Sequence, residues 1–211
     1  DPLWSRGLGD VYKRQAYGTP YKPQRGEQWE AGVKWQPPGQ GISAFAAVYT
    51  LREKNRKTTD PGNPLNSLQI GEVKVNGFEA EVQASLARQW DFTLAYAFTD
   101  AQISRSNAGD QGQAVAGAPR HTASAWLSHR FAAQGRGGWV VGAGVRYTGS
   151  QWTGTSAITT PAATLADAMV AYDAGDWRVA FNVVNLTDKV HITQCLSLIH
   201  ISEPRDQRGS R

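Results

Sequence analysis

Residues 165–189 hold two stretches in which apolar and polar side chains alternate, with a tight turn between them. The second stretch carries a large apolar side chain at every other position: Trp177, Val179, Phe181 and Val183. A period of two places successive side chains on opposite faces of a β-strand. The turn, Ala-Gly-Asp at 174–176, is short enough to close a hairpin. The segment therefore predicts two antiparallel strands with one apolar face and one polar face.

The same alternation recurs in six earlier segments, so the chain predicts about eight strands. These segments are 26–36, 42–52, 69–87, 90–99, 122–131 and 139–147. In the third segment the apolar positions change parity at Asn76-Gly77, and a β-bulge at the glycine would restore one continuous apolar face. The alternation alone fits either an up-and-down membrane barrel or a soluble antiparallel sandwich.

The lengths of the connections separate these two folds. Short connections near 37–41, 87–89, 132–138 and 174–176 alternate with long ones near 53–68, 100–118 and 148–163. Outer-membrane barrels have short turns at the periplasmic end and long loops at the extracellular end. The alternation of short and long connections therefore favours an all-β, antiparallel up-and-down meander that belongs to a transmembrane barrel.

Aromatic side chains lie at the ends of the predicted strands. Six flank the short connections: Trp35, Trp90, Phe131, Trp139, Tyr172 and Trp177. Three others stand at the far ends of their strands: Tyr49, Phe98 and Tyr147. Two aromatic girdles around an apolar band are typical of membrane barrels, and the first six are predicted membrane-interface residues. A soluble sandwich gives no reason to place tryptophan at the same end of successive hairpins.

Composition is compatible with this prediction. The mean hydropathy of −0.46 is low, as it is in barrels whose strands alternate lipid-facing and lumen-facing residues. The net charge of +4 comes without a run of five like charges, so we expect no nucleic-acid partner.

Several motifs point to one family. The chain carries N-L-T-D-K at 185–189, KPQRGEQWEAGVKW at 22–35, GEVKVNGFEAEV at 71–82 and P-R-H at 119–121. Taken in their order along the chain, these motifs resemble the C-terminal part of TonB-dependent outer-membrane receptors of the ferric-siderophore type. The resemblance implies a 22-stranded, plugged barrel of which this chain supplies the last third. It also implies the outer membrane of a Gram-negative bacterium, with a ferric siderophore, TonB and outer-membrane lipid as partners.

The resemblance covers residues 16–195, and we expect the plug and the TonB box to lie outside this sequence. Residues 1–15 and 196–211 follow no strand pattern and resemble translated adapter sequence, so both are expected to be non-native or, alternatively, loop-forming native ends. Cys195 is the single cysteine. The family often carries a cysteine pair in its last loop, so Cys195 is either half of such a pair or a lone thiol.

Catalytic chemistry is not predicted, and no cofactor is expected. The histidines at 121, 129 and 191 have no metal-ligand spacing. Glu79 and Glu81, with Lys34, Arg146 and Arg178, fall on the polar face, where we expect them to line a wet lumen and to form salt bridges across strands.

Binding residues concentrate on loops that a rigid scaffold holds in place. Arg105, Arg120 and Trp152 lie in the predicted long loops or at their ends, and are candidates for binding an anionic or aromatic iron chelate. They are also explained as solvated loop residues. The alternative function is a passive porin or an adhesin-type barrel without TonB coupling.

Overall fold

The computed structural model describes residues 21–60, 62–86, 89–132, 137–154 and 158–192. Eight strands form one antiparallel sheet in the order β1-β2-β3-β4-β5-β6-β9-β10, and β7 and β8 form a separate pair. The strands are β1 Arg25–Trp35, β2 Ile42–Asp60, β3 Asn63–Leu86, β4 Trp90–Arg105, β5 His121–Ala132, β6 Gly137–Thr148, β7 Gln151–Trp152, β8 Thr159–Thr160, β9 Ala163–Ala174 and β10 Trp177–Val183. The predicted eight-stranded meander is confirmed. Within the described residues no helix is long and apolar enough to span a membrane.

The ladder registers sort the side chains onto two faces, because residues paired across antiparallel strands point the same way. Phe131 pairs with Trp139, and Trp139 pairs with Tyr172, so these three lie on one face. The register also places the other three predicted interface residues there: Trp35, Trp90 and Trp177. We call this the aromatic face. The opposite face carries Glu79, Glu81 and Arg146, among others.

The aromatic face is not covered by other described residues. Trp177 is 78% exposed and Trp139 is 52% exposed. Such large apolar side chains favour an apolar surrounding rather than water. The sheet is therefore a single layer, and its aromatic face is suited to contact an apolar environment.

The hairpin of β2 and β3 is much longer than predicted. The segment 53–68 was expected to be a loop, yet β2 continues to Asp60 and β3 begins at Asn63. Register shifts interrupt the pairing between Glu53 and Arg56 and again near Thr58. The sequence prediction was wrong here because it relied on apolar alternation. Where the side chains are polar, backbone pairing sustains these strands together with polar contacts, such as the hydrogen bond from Gln69 Nε2 to the Asn55 carbonyl at 2.8 Å.

The predicted bulge at Asn76-Gly77 is also wrong. Tyr49 pairs with Gly77 and Thr50 pairs with Asn76 in an unbroken ladder. The change of parity instead reflects an exchange of polarity between the faces. From Asn76 toward the β2–β3 connection, Val75 and other apolar residues lie on the opposite face, and the aromatic face carries polar residues.

Gly77 explains where Tyr49 lies. A Cβ at Gly77 would overlap the Tyr49 ring, so the ring covers the glycine on the opposite face. Its hydroxyl is 3.2 Å from the Thr99 hydroxyl. Tyr49 therefore does not join the far aromatic girdle, and that prediction was wrong.

The predictions for residues 1–15, for 196–211 and for Cys195 lie outside the described residues. They stay predictions.

Candidate ligand-binding cavity at the long connections

A cavity of about 280 Å³ lies at the end of the sheet that carries the long connections. Its walls come from β2, β3, β4 and the connections after β4 and β6. The residues that line it include Arg56, Lys57, Glu72, Val73, Ile103, Arg105, Asp110 and Trp152. Val73 and Ile103 pair with each other on the opposite face, so the cavity lies on that side of the sheet.

The connection between β4 and β5 folds against the free edge of β4. The Ile103 amide donates to the Gln113 carbonyl at 2.9 Å, and the Val115 amide donates to the Ala101 carbonyl at 2.9 Å. Gly109 and Gly112 adopt positive φ, which glycine tolerates without a steric penalty. These turns bring Asp110 and Val115 to the cavity.

The connection between β6 and β9 supplies a second wall through the short β7–β8 pair. Gln151 pairs with Thr160 in this pair, and both are buried. The Gly117 amide donates to the Trp152 carbonyl at 2.8 Å, which joins the two long connections. Val73 on the cavity floor is only 5% exposed. The two connections therefore form a fixed wall around the cavity.

Charged groups dominate the rim of the cavity. Three cationic residues, Arg56, Lys57 and Arg105, face two acidic ones, Glu72 and Asp110. Glu72 is already engaged, because Arg52 Nε lies 3.2 Å from its Oε1 and the Ser104 hydroxyl donates to the same oxygen at 3.2 Å.

The remaining charges of the rim are less tightly paired. Arg56 reaches Glu53 at 3.9 Å, the outer limit of an ion pair. The Lys57 ammonium lies 4.2 Å from the centre of the Tyr21 ring. Asp110 Oδ1 is buried and accepts no hydrogen bond from a described residue. The lining therefore holds three cationic residues and two acidic ones, and Arg105 forms no ion pair with a described residue.

The structure brings together two of the three predicted binding residues. Arg105 and Trp152 both line the cavity. Arg120 does not line it. Its Nη2 donates to Asp100 Oδ1 at 2.9 Å, and Asp100, the cross-strand partner of Asn76, lies on the aromatic face. A role in binding stays a prediction for all three residues.

Sequence reasoning did not single out Arg56, Lys57 or Asp110. The signal for the first two was present, since residues 52–57 hold four cationic side chains in six positions, R-E-K-N-R-K. No sequence signal distinguished Asp110, because its position depends on how the β4–β5 connection folds.

The predicted salt bridges across strands are confirmed for Arg146 and Arg178. Arg146 binds Asp167 through two contacts, Nε to Oδ2 at 2.6 Å and Nη2 to Oδ1 at 3.0 Å. Arg178 Nε lies 3.6 Å from Asp173 Oδ1.

Glu79, Glu81 and Lys34 differ from these two arginines. Among the described residues none of the three takes part in an ion pair. Glu81 accepts a hydrogen bond from Gln83 Nε2 at 2.5 Å instead. In the same described ranges, no group of three His, Cys, Asp or Glu residues could hold a metal ion.

Comparison with known proteins identifies what the chain resembles. The sequence profile of the family described as "TonB dependent receptor-like, beta-barrel" matches residues 4–186. The ferrioxamine B receptor of Salmonella typhimurium is 37% identical over 188 residues, which cover 86% of this chain and 26% of that protein. The ferrichrome outer membrane transporter/phage receptor of Escherichia coli K12 is 32% identical and covers 85% of this chain and 25% of that protein.

Solved structures show the same fold. The ferric-catecholate import receptor Fiu of Escherichia coli K12 superposes with a TM-score of 0.68 at 25% identity, over 82% of this chain and 25% of that one. FpvA of Pseudomonas aeruginosa, bound to heterologous pyoverdines, gives a TM-score of 0.71 at 22% identity, over 88% of this chain and 26% of that one. The chain spans about a quarter of the length of these relatives.

Proposed function

The chain belongs to the TonB-dependent receptor β-barrel family, and from this premise we propose that it is the C-terminal barrel segment of a receptor that imports a ferric siderophore. The complete barrel would have 22 strands around a plug. It would bind its ligand at the cell surface and pass it inward when TonB acts on the N-terminal region. Relatives named as receptors for ferrioxamine B and as a ferrichrome transporter support this proposal.

The two faces of the sheet fit an outer-membrane location. The aromatic face would contact lipid, with Trp35, Trp90 and Trp139 among its periplasmic interface residues. The opposite face, which carries Glu79 and Glu81, would line the lumen. The long connections, and the cavity they build, would then lie at the extracellular end.

The position of the cavity is the observation that carries the ligand-binding part of the proposal. It lies on the face opposite the aromatic face, at the end of the sheet where the long connections meet, with Arg105 and Trp152 in its wall. A guanidinium group forms paired hydrogen bonds with anionic oxygens, and an indole ring contacts planar ligands. Such a site suits the first contact with an iron chelate arriving from outside the cell.

The test uses a full-length receptor that carries this segment. The gene is expressed in a Gram-negative strain that lacks its own ferric-siderophore receptors, and uptake of radiolabelled ferric siderophores is measured with and without TonB. We expect uptake that requires TonB. Uptake that persists without TonB would instead favour a passive barrel, and no uptake of any ferric siderophore offered would contradict the proposal.

A further inference from the structure

The cavity of Arg56, Lys57, Arg105, Asp110 and Trp152 has a charge that bears on which chelates it accepts. We propose that it selects anionic ferric chelates over chelates whose metal core is uncharged. This inference rests on the proposed function and names the substrate class of the same site.

Three arginines of the sheet form short ion pairs with a carboxylate. Arg120 contacts Asp100 at 2.9 Å, Arg130 contacts Asp173 at 2.6 Å, and Arg146 contacts Asp167 at 2.6 Å. Arg105 differs from these three, since it forms no ion pair with a described residue although it lines the cavity. Its guanidinium group is therefore available to an anionic ligand.

The acidic groups of the cavity do not cancel this positive charge. Glu72 is neutralised by Arg52, which lies 3.2 Å away. Asp110 lies in the same lining as Arg56, Lys57 and Arg105. Arg56 has Glu53 as its partner at 3.9 Å, so Lys57 and Arg105 stand against the single carboxylate of Asp110. Charges at a partly enclosed site are screened less than charges on an open surface.

Ferric chelates divide into classes by the charge of the metal core. A ferric tris(catecholate) presents anionic oxygens and aromatic rings, whereas the core of a ferric tris(hydroxamate) is neutral. The fork of an arginine matches anionic oxygens, and cation–π contact adds attraction to the rings. Both features favour the catecholate type in this cavity.

Substitution of Asp110 tests the inference, because it should change the affinity for anionic and for cationic ligands in opposite directions. Its Oδ1 is buried without a described hydrogen-bond donor. Against an anionic ligand its carboxylate is repulsive, so Asp110→Asn should strengthen binding of that ligand. Against a ligand that carries a cation, the same substitution should weaken binding.

The experiment titrates the full-length receptor with two probes, a ferric tris(catecholate) and a ferric tris(hydroxamate) with an uncharged core, at low and physiological ionic strength. We expect the catecholate to bind about tenfold more tightly, with a preference that shrinks as salt is added. Arg105→Gln should lower the affinity for the catecholate much more than the affinity for the hydroxamate and so remove most of the preference. Asp110→Asn should increase the preference for the catecholate.

Lys74→Gln is the matched control, because Lys74 is exposed at the same end of the sheet but lies on the aromatic face. It removes one positive charge and should leave the preference intact. Equal affinity for the two probes, tighter binding of the hydroxamate, an equal loss for both in Arg105→Gln, or failure of the catecholate to bind overturns the inference. The proposed function is decided separately, by TonB-dependent uptake.

Discussion

Glycines in this sheet make room for aromatic side chains on the neighbouring strand. Tyr49 covers Gly77, and the Trp126 ring covers Gly142 and Gly144 in the same way. Covering a strand glycine with a cross-strand ring stabilises a position that would otherwise lack side-chain packing. Both ring–glycine contacts lie on the face opposite the aromatic face.

The first prediction concerns Gly77. We expect Gly77→Ala to destabilise the barrel by about 1–3 kcal/mol, because the new methyl group displaces the Tyr49 ring. Gly26→Ala is the control, since nothing lies within 4 Å of a Cβ at Gly26. The free energy of unfolding in lipid vesicles is measured for both variants. Equal values for the two would show that the Tyr49 ring moves aside without cost.

The second prediction tests the assignment of the faces with neighbouring residues of β4. Leu94 lies on the aromatic face, midway between Trp90 and Phe98, and is 41% exposed. Leu94→Arg should cost about 2–4 kcal/mol near the bilayer midplane.

Thr93→Arg serves as its control, since Thr93 points to the opposite face, and it should cost clearly less. The same vesicle-based unfolding measurement is used for both variants. If Thr93→Arg is the more damaging of the two, the lipid and lumen faces are exchanged.

At the scale of the elements, β10 ends where a compact turn begins. The Leu186 amide donates to the Ala166 carbonyl at 2.6 Å, one position out of the β9–β10 register. Asp167 accepts a hydrogen bond from the Asn185 amide at 2.9 Å while it also binds Arg146. The turn is therefore tied to the charged pair on the opposite face.

Asn185 is the residue on which this turn depends. Its side chain donates to the Lys189 carbonyl at 3.1 Å and accepts from the Lys189 amide at 3.0 Å. Its φ of 55° lies in the left-handed region, which asparagine tolerates better than most residues. These two properties give a physical reason for asparagine at the start of the N-L-T-D-K motif.

The third prediction separates the two contributions of Asn185. Asn185→Ala should lose both side-chain hydrogen bonds and gain backbone strain, at a total cost of about 2 kcal/mol. Asn185→Gly loses the same hydrogen bonds but keeps the left-handed conformation, so it should cost less. Unfolding in vesicles provides the comparison. Equal losses in the two variants would mean that backbone strain contributes nothing here.

Strands were predictable from sequence where one face is apolar and the other is polar, as in Trp177–Val183. Prediction of the faces failed in the part of β3 that precedes Asn76. There the apolar residues lie on the opposite face, and Val73 is buried under a connection. Arg105 and Trp152 line the same cavity because of the way in which two connections fold. Their sequence positions, 47 residues apart, carry no signal of that contact.

At the scale of the whole molecule, the sheet has two free edges. β1 and β10 stand at the two ends of the strand order, and every residue of β1 is exposed. Trp29 on β1 is 79% exposed. An unpaired strand edge presents backbone donors and acceptors that pair readily with another chain. In a complete barrel these edges would be paired by further strands.

The fourth prediction follows from these edges. We expect the 211-residue chain, refolded alone in detergent, to self-associate as its concentration rises, because detergent covers the aromatic face but leaves backbone groups at both edges unpaired. The full-length receptor is the control and should stay monomeric over the same range. Sedimentation velocity measures both. A chain that stays monomeric throughout would indicate that its own residues, outside those described, protect β1 and β10, and the open-sheet description would then have to be replaced by one in which the edges are closed.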